Sequence, residues 1–198
     1  LKKIKDYLPI RNTEKNNKGE VFTPVFLVLD LFMNIPAKIW KNPDLKWIDP
    51  ASGIGNLSII AYLKLMHSLP SKTKKYDLST PKKRHNHIIE NMLYMVELDK
   101  RNCNVARKIF GKSANIYNGS FLTNNVKKVN PVVIDRFNQS SFDVVIGNPP
   151  YNMENDNNEL VPIYPDFIYT VDKICDIHSF VIPSRWFSGG KSKIKDFR

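Results

Sequence analysis

The sequence predicts a doubly wound α/β fold with a mostly parallel sheet, and three observations carry that prediction. Short apolar runs alternate with segments of helical period, a glycine-containing turn follows the first run, and acidic residues close the second. The runs at 47–48, 92–96, 142–146 and 179–182 read as strands. Between them, 57–66 and 100–110 carry apolar residues at helical spacing and read as crossover helices. Ahead of the first strand, 24–34 reads as an apolar helix with Thr23 as its N-cap and Pro24 at its first position, where the missing N–H costs nothing. The segment 71–84 is basic, contains Pro81 and has no periodicity, so it reads as an exposed insertion after the first crossover helix. The polar stretch 152–159 reads as a mobile loop, and no internal repeat is visible.

A chain of 198 residues, 42% hydrophobic and 25% charged, is long enough for one sizeable core and one domain. Thirty Lys and Arg against nineteen Asp and Glu leave a formal charge of +11, which favours a polyanionic partner. Cys103 and Cys175 form no C-x-x-C pair, so the sequence indicates neither a zinc site nor a disulfide framework and fits a reducing compartment. His85-Asn86-His87 spells a nuclease motif by name only, because the residues of such a motif are spread over a ββα unit. His67 and His178 have no metal-type partners nearby in sequence. No apolar stretch approaches the ~20 residues of a membrane span and the Lys-rich start lacks a following apolar h-region, so a soluble, unsecreted protein of the cytoplasm or another intracellular compartment is expected.

Asn148-Pro149-Pro150-Tyr151, directly behind the run 142–147, places a rigid polar-aromatic turn at the end of a strand. Both prolines fix φ and push the residues before them toward extended backbone, so the carbonyls of the turn point in set directions. Asn148 adds a side-chain oxygen, and Tyr151 supplies a flat ring for stacking. Two oxygens that accept hydrogen bonds from one –NH2 group draw its lone pair out of conjugation and offset the charge that develops as it attacks an electrophile. The chemistry this points to is amino-group methylation, with no carboxylate base needed.

Asp49-Pro50-Ala51-Ser52-Gly53-Ile54-Gly55 follows the first strand and opens a helix, the place where doubly wound sheets bind ligands. It lacks the third glycine of a dinucleotide fingerprint and the Gly-Lys-Ser/Thr ending of a phosphate loop, which suits a ligand without phosphates. The second strand ends in Glu97-Leu98-Asp99; Glu97 is placed to accept both hydroxyls of a ribose, and Asp99 to cap the following helix.

Motif for motif, from Gly19 to about Arg198, the chain resembles the S-adenosylmethionine-dependent N6-adenine DNA methyltransferases whose cofactor motifs precede the catalytic one. The resemblance implies a Rossmann-like methyltransferase fold with S-adenosylmethionine as cofactor, DNA as partner, and a place in a restriction-modification system. It implies a catalytic core over 1–198, with an N-terminal motif and helix at 19–34, a cofactor-binding half at 45–124 and a catalytic half at 140–198. By the same resemblance, Asn148, Pro149, Pro150 and Tyr151 are catalytic. Phe22, Thr23 and Pro24 flank the methionine carboxylate; Asp49 lines the cofactor cleft; the backbone of Ala51, Ser52, Gly53 and Gly55 holds the methionine part; Glu97 takes the ribose. Ser120 stands where the family usually has an acid that binds the adenine amine, and Phe121 packs on the adenine face. The expectation is also that further strands and a target-recognition domain are missing here, supplied by a C-terminal region or a second polypeptide, and that this piece alone is inactive on DNA. RNA adenine and protein glutamine stay open as substrates, as does a non-catalytic scaffold of the same fold.

Overall fold

Among residues 23–123, 128–155 and 157–185, which the computed structural model describes, the strands are β1 (Trp47–Asp49), β2 (Leu93–Glu97), β3 (Asn115–Asn118), β4 (Val144–Gly147), β5 (Asn152–Glu154), β6 (Leu160–Pro162) and β7 (Ile177–Phe180). A five-stranded sheet runs in the order β3-β2-β1-β4-β7 and every pairing in it is parallel. The chain steps from β1 outward through β2 to β3, then returns to lay β4 on the other side of β1. That reversal opens a crevice between the loops leaving β1 and β4, at the C-terminal edge of the sheet.

The helices are α1 (Val25–Met33), α2 (Ala37–Trp40), α3 (Asn56–Ser68), α4 (Pro81–His87), α5 (Lys100–Phe110), α6 (Pro131–Phe137) and α7 (Tyr164–Val171). Strand side chains alternate between the two faces of the sheet, so both faces are covered. Trp47, Leu93, Met95, Val144 and Ile146 pack with Val28, Phe32, Ile59, Leu65 and Phe110 on one face. Ile48, Tyr94, Val96 and Val145 pack with Phe121, Phe137, Phe142 and Phe167 on the other. None of the helices among the described residues is long and apolar enough to cross a membrane.

Helix α5 spans the residues its sequence predicts, with the Asp99 carboxylate accepting from the Arg101 amide at 2.7 Å as its cap. Three expectations need correction. Thr23 does not cap α1: Pro24 holds the cap position, no side chain caps the helix, and the Thr23 hydroxyl is used elsewhere. The insertion is not irregular throughout, since Lys72 and Asp77 form an antiparallel bridge and α4 starts at Pro81 with Thr80 Oγ1 accepting from the Lys83 amide at 3.2 Å. The stretch after the Asn148–Tyr151 turn, expected to be mobile, is an antiparallel hairpin of β5 and β6. Its turn is closed by Asn155, whose Oδ1 accepts from the amides of Asn157 (3.0 Å) and Glu159 (2.9 Å).

Candidate active site

The glycine loop leaves β1 at Asp49 and is fastened to the end of β2. The Ser52 amide donates to the Val96 carbonyl at 2.9 Å, and the Gly55 amide to the Ser52 carbonyl at 2.8 Å. Gly53 (φ +56°) and Gly55 (φ +95°) occupy left-handed backbone, which side chains rarely adopt. Gly55 also meets α5 so closely that a Cβ there would stand 2.7 Å from Phe110 Cε2, whereas a Cβ on Gly53 would have nothing within 4 Å. One glycine is needed for packing; the other leaves the backbone open to a ligand.

Glu97 joins the two strand ends. Its Oε2 accepts from the Gly53 amide at 2.8 Å and its Oε1 from the Asp99 amide at 2.6 Å, so both carboxylate oxygens are held by backbone donors. Asp49 lies behind it, 1% exposed, accepting from the Ala51 amide and the Ser58 hydroxyl, each at 3.3 Å. Burial pushes the Asp49 carboxyl up to about 7; the two hydrogen bonds oppose this, and the charge of Glu97 adds to it. Ser52 Oγ is buried and makes no hydrogen bond among the described residues. Leu98, between the two acids, is 74% exposed.

At the end of β3, Asn118 Nδ2 donates to the carbonyls of Glu97 (3.0 Å) and Leu98 (2.9 Å), which ties this turn to the Glu97 turn. Ser120 is exposed, and its hydroxyl donates to the Leu122 carbonyl at 2.8 Å. Phe121 is 2% exposed and stacks on Phe167 of α7, with ring centroids 6.0 Å apart and 13° between planes. The ring is a core element, and α7 takes up its stacking face.

The turn after β4 holds a half-buried Asn148, a buried Pro149, an exposed Pro150 and a half-buried Tyr151 whose phenol burial pushes upward. Asn148 Nδ2 donates to Thr23 Oγ1 at 2.9 Å, which brings the start of α1 onto this turn. The Tyr151 carbonyl accepts from the Ile163 amide at 3.0 Å, so the β5–β6 hairpin closes back on the turn. Since β1 and β4 are neighbours, the glycine loop and this turn leave the same sheet edge side by side. Phe22 lies outside the described residues, while Pro24 is exposed at the start of α1. Among the described residues, no group of three or more His, Cys, Asp or Glu side chains is placed to hold a metal ion. Ser58, Leu98 and the Thr23–Asn148 bond are features that sequence reasoning missed; of these, only Leu98 carried a local signal, an apolar residue between two acids.

Residues 55–198 match the model of the Eco57I restriction-modification methylase family. The chain belongs to that family. An uncharacterized adenine-specific methylase of Mycoplasma pneumoniae is 25% identical over 250 aligned positions, which take in 90% of this chain and 58% of that protein. The chain thus spans less than two thirds of that relative's length. Among solved structures, a modification subunit from Vibrio vulnificus YJ016 superposes with a TM-score of 0.56 at 16% identity, over 92% of this chain and 38% of that one. A Listeria monocytogenes protein described as a class I S-adenosylmethionine-dependent methyltransferase gives 0.55 at 15% identity, over 93% and 53% respectively. At these identities the structures establish a shared fold: the Eco57I-type chain has the doubly wound architecture of class I methyltransferases.

Proposed function

We propose that this chain is the catalytic core of an enzyme that transfers a methyl group from S-adenosylmethionine to the N6 amine of adenine in DNA. The observation that carries the reading is the Asn148-Pro149-Pro150-Tyr151 turn at the C-terminal end of β4, beside the glycine loop of β1 and braced by Thr23.

The residues present fit the cofactor. Glu97 carries its carboxylate at the end of β2, fastened to the glycine loop, where a ribose would lie; Ser52 Oγ is a buried hydroxyl without a hydrogen-bond partner among the described residues; and the open space over Gly53 admits a ligand against bare backbone. The exposed Leu98 offers an apolar surface to an adenine ring, a role that the buried Phe121 does not share. Bound there, the cofactor supplies an electrophilic methyl group on a sulfonium.

The chain's own residues act on the acceptor. Tyr151 stacks on an adenine turned out of the helix, and Asn148 Oδ1 with the Pro149 carbonyl accepts the two N–H bonds of the amine. The lone pair is thereby aimed at the methyl group, and the developing positive charge meets preorganised oxygens. Membership of a restriction-modification methylase family supports DNA over RNA, and the relative's description as an adenine-specific methylase together with the +11 charge supports a nucleic acid over a glutamine side chain.

The test is methyl transfer from labelled cofactor to unmethylated DNA, to RNA and to a glutamine peptide, alongside calorimetric titration of cofactor and of its demethylated product. Label in the N6 position of DNA adenine is expected. Absence of cofactor binding at millimolar concentration would remove the basis for the enzyme reading.

A further inference from the structure

The candidate active site uses the C-terminal edge of the sheet, and a basic cluster lies on the opposite edge. Residues 37–46 lead into the start of β1, and 71–87 lead through the π-helical turn Ile88–Met92 into the start of β2. In a parallel sheet both therefore belong to the N-terminal edge. Together these two segments contain nine Lys and Arg and two Asp, with no Glu.

They are docked on each other. His87, buried, bonds through Nε2 to the Pro43 carbonyl at 2.8 Å and lies against the Tyr76 ring, with centroids 4.4 Å apart. The Tyr76 hydroxyl and Lys75 Nζ each donate to Asp44 Oδ1 at 2.7 Å. Arg84 Nη1 reaches back to the Met66 carbonyl at 2.6 Å.

This docking accounts for the two acids and leaves lysines over. Asp44 is paired with Lys75, and Asp77 with Lys83. The side chains of Lys38, Lys41, Lys72, Lys74 and Lys82 are all exposed and make no hydrogen bond or ion pair among the described residues. Lysines that merely keep a protein soluble need no ordered platform. Here the two docked segments neutralise their own acids and leave the surplus cations on one edge of the sheet. None of the large exposed hydrophobic residues lies in these segments, so the face lacks the apolar centre expected of a protein–protein contact. Lysines interspersed with Ser71, Thr73, Ser79 and Thr80 match a phosphate backbone, which is bound by point charges and hydroxyls without sequence readout.

We propose that this face is a second nucleic-acid contact surface, taking the sugar-phosphate backbone of duplex DNA on the side of the sheet away from the catalytic turn. The inference stands on charge and docking and holds whether or not the chain transfers methyl groups.

The experiment compares two charge-matched variants: Lys41, Lys72, Lys74 and Lys82 all changed to Gln, and Lys108, Lys112, Lys128 and Lys173 all changed to Gln. Binding of a fluorescent duplex of mixed sequence is followed by anisotropy across a range of salt concentrations. Thermal melting and cofactor titration serve as controls for fold and site. The patch variant is expected to lose about 0.9 from the log–log salt slope for each contacting lysine removed, so about 2 or more in total, with at least a tenfold loss of affinity at low salt. The control variant is expected to retain most of its slope. Equal losses in both variants would reduce the effect to net charge and overturn the proposal. A patch variant that binds like the wild type would overturn it as well, and would assign the lysines to an acidic protein partner or to solubility alone.

Discussion

The side-chain amide of Asn148 donates to the Thr23 hydroxyl at 2.9 Å, across 125 positions of chain. A planar amide with its nitrogen committed on one side turns its oxygen to the other, so this bond decides which end of Asn148 meets the acceptor amine. Thr23 is in this reading a positioning residue. It is only 4% exposed, and a nearly isosteric valine removes the acceptor while keeping the volume.

Thr23→Val is therefore expected to lower the turnover of methyl transfer roughly three- to tenfold, the worth of one neutral hydrogen bond, with cofactor affinity nearly unchanged. Thr23→Ser should restore most of the loss. If Thr23→Val instead weakens cofactor binding at constant turnover, the hydroxyl serves the cofactor carboxylate and not Asn148.

Glu97 ties the glycine loop to β2 through the Gly53 amide, so its removal should act twice. Glu97→Ala leaves that amide and the Asp99 amide without their acceptor and takes away a charged acceptor for the ribose. Cofactor affinity should fall by about 1.5–3 kcal/mol, with a lower melting temperature even without ligand. Glu97→Gln keeps one acceptor oxygen and should melt closer to wild type while still binding cofactor weakly. A Glu97→Ala protein that binds cofactor normally in calorimetry would exclude the ribose role.

The two loop glycines should respond differently to alanine. Gly53→Ala meets only the left-handed backbone preference and is expected to cost about 1 kcal/mol. Gly55→Ala adds a clash with the Phe110 ring and should cost about 1–3 kcal/mol more. Shortening the partner by Phe110→Leu should recover part of that extra loss in a double-mutant cycle measured by denaturant unfolding. Additive effects would show that the ring contact plays no part.

Much of this architecture is legible in one sequence because its signals are local. Asp99 as cap and Gly111 as stop fix α5 to the residue, and glycines after an apolar run place the loop behind β1. Strand bounds are less legible: β7 begins at Ile177, earlier than the apolar run suggests, because an edge strand with His178 and Ser179 does not need to be apolar throughout. The β5–β6 hairpin is set by the Asn155 side chain closing its own turn, which composition reads as polarity and hence as mobility. The site shows the same division. Glu97 and the Asn148–Tyr151 turn stand out by motif, but the Thr23–Asn148 bond and the burial of Phe121 under Phe167 depend on which elements pack together, and no spacing along the chain encodes that.

Asp49 supplies a pH signature of the folded site. Its carboxyl ionises near 3.8 in an unfolded chain and at about 7 in the folded one, chiefly because it is buried. Between those values the native state holds a proton that the unfolded state has released, so this group makes stability fall as pH rises through the window, by at most about 1.4 kcal/mol per pH unit. Below the window both states are protonated and above it both are ionised, so the contribution is flat on either side. Asp49→Asn removes the titration and keeps the shape. The melting temperature of Asp49→Asn minus that of the wild type should therefore increase from about pH 4 to about pH 7 and level off above. Adding Glu97→Gln to both proteins removes a neighbouring negative charge that raises the Asp49 value, so the increase should level off at lower pH. A difference that does not change with pH would mean that Asp49 is ionised throughout, its charge compensated by its hydrogen bonds to Ala51 and Ser58.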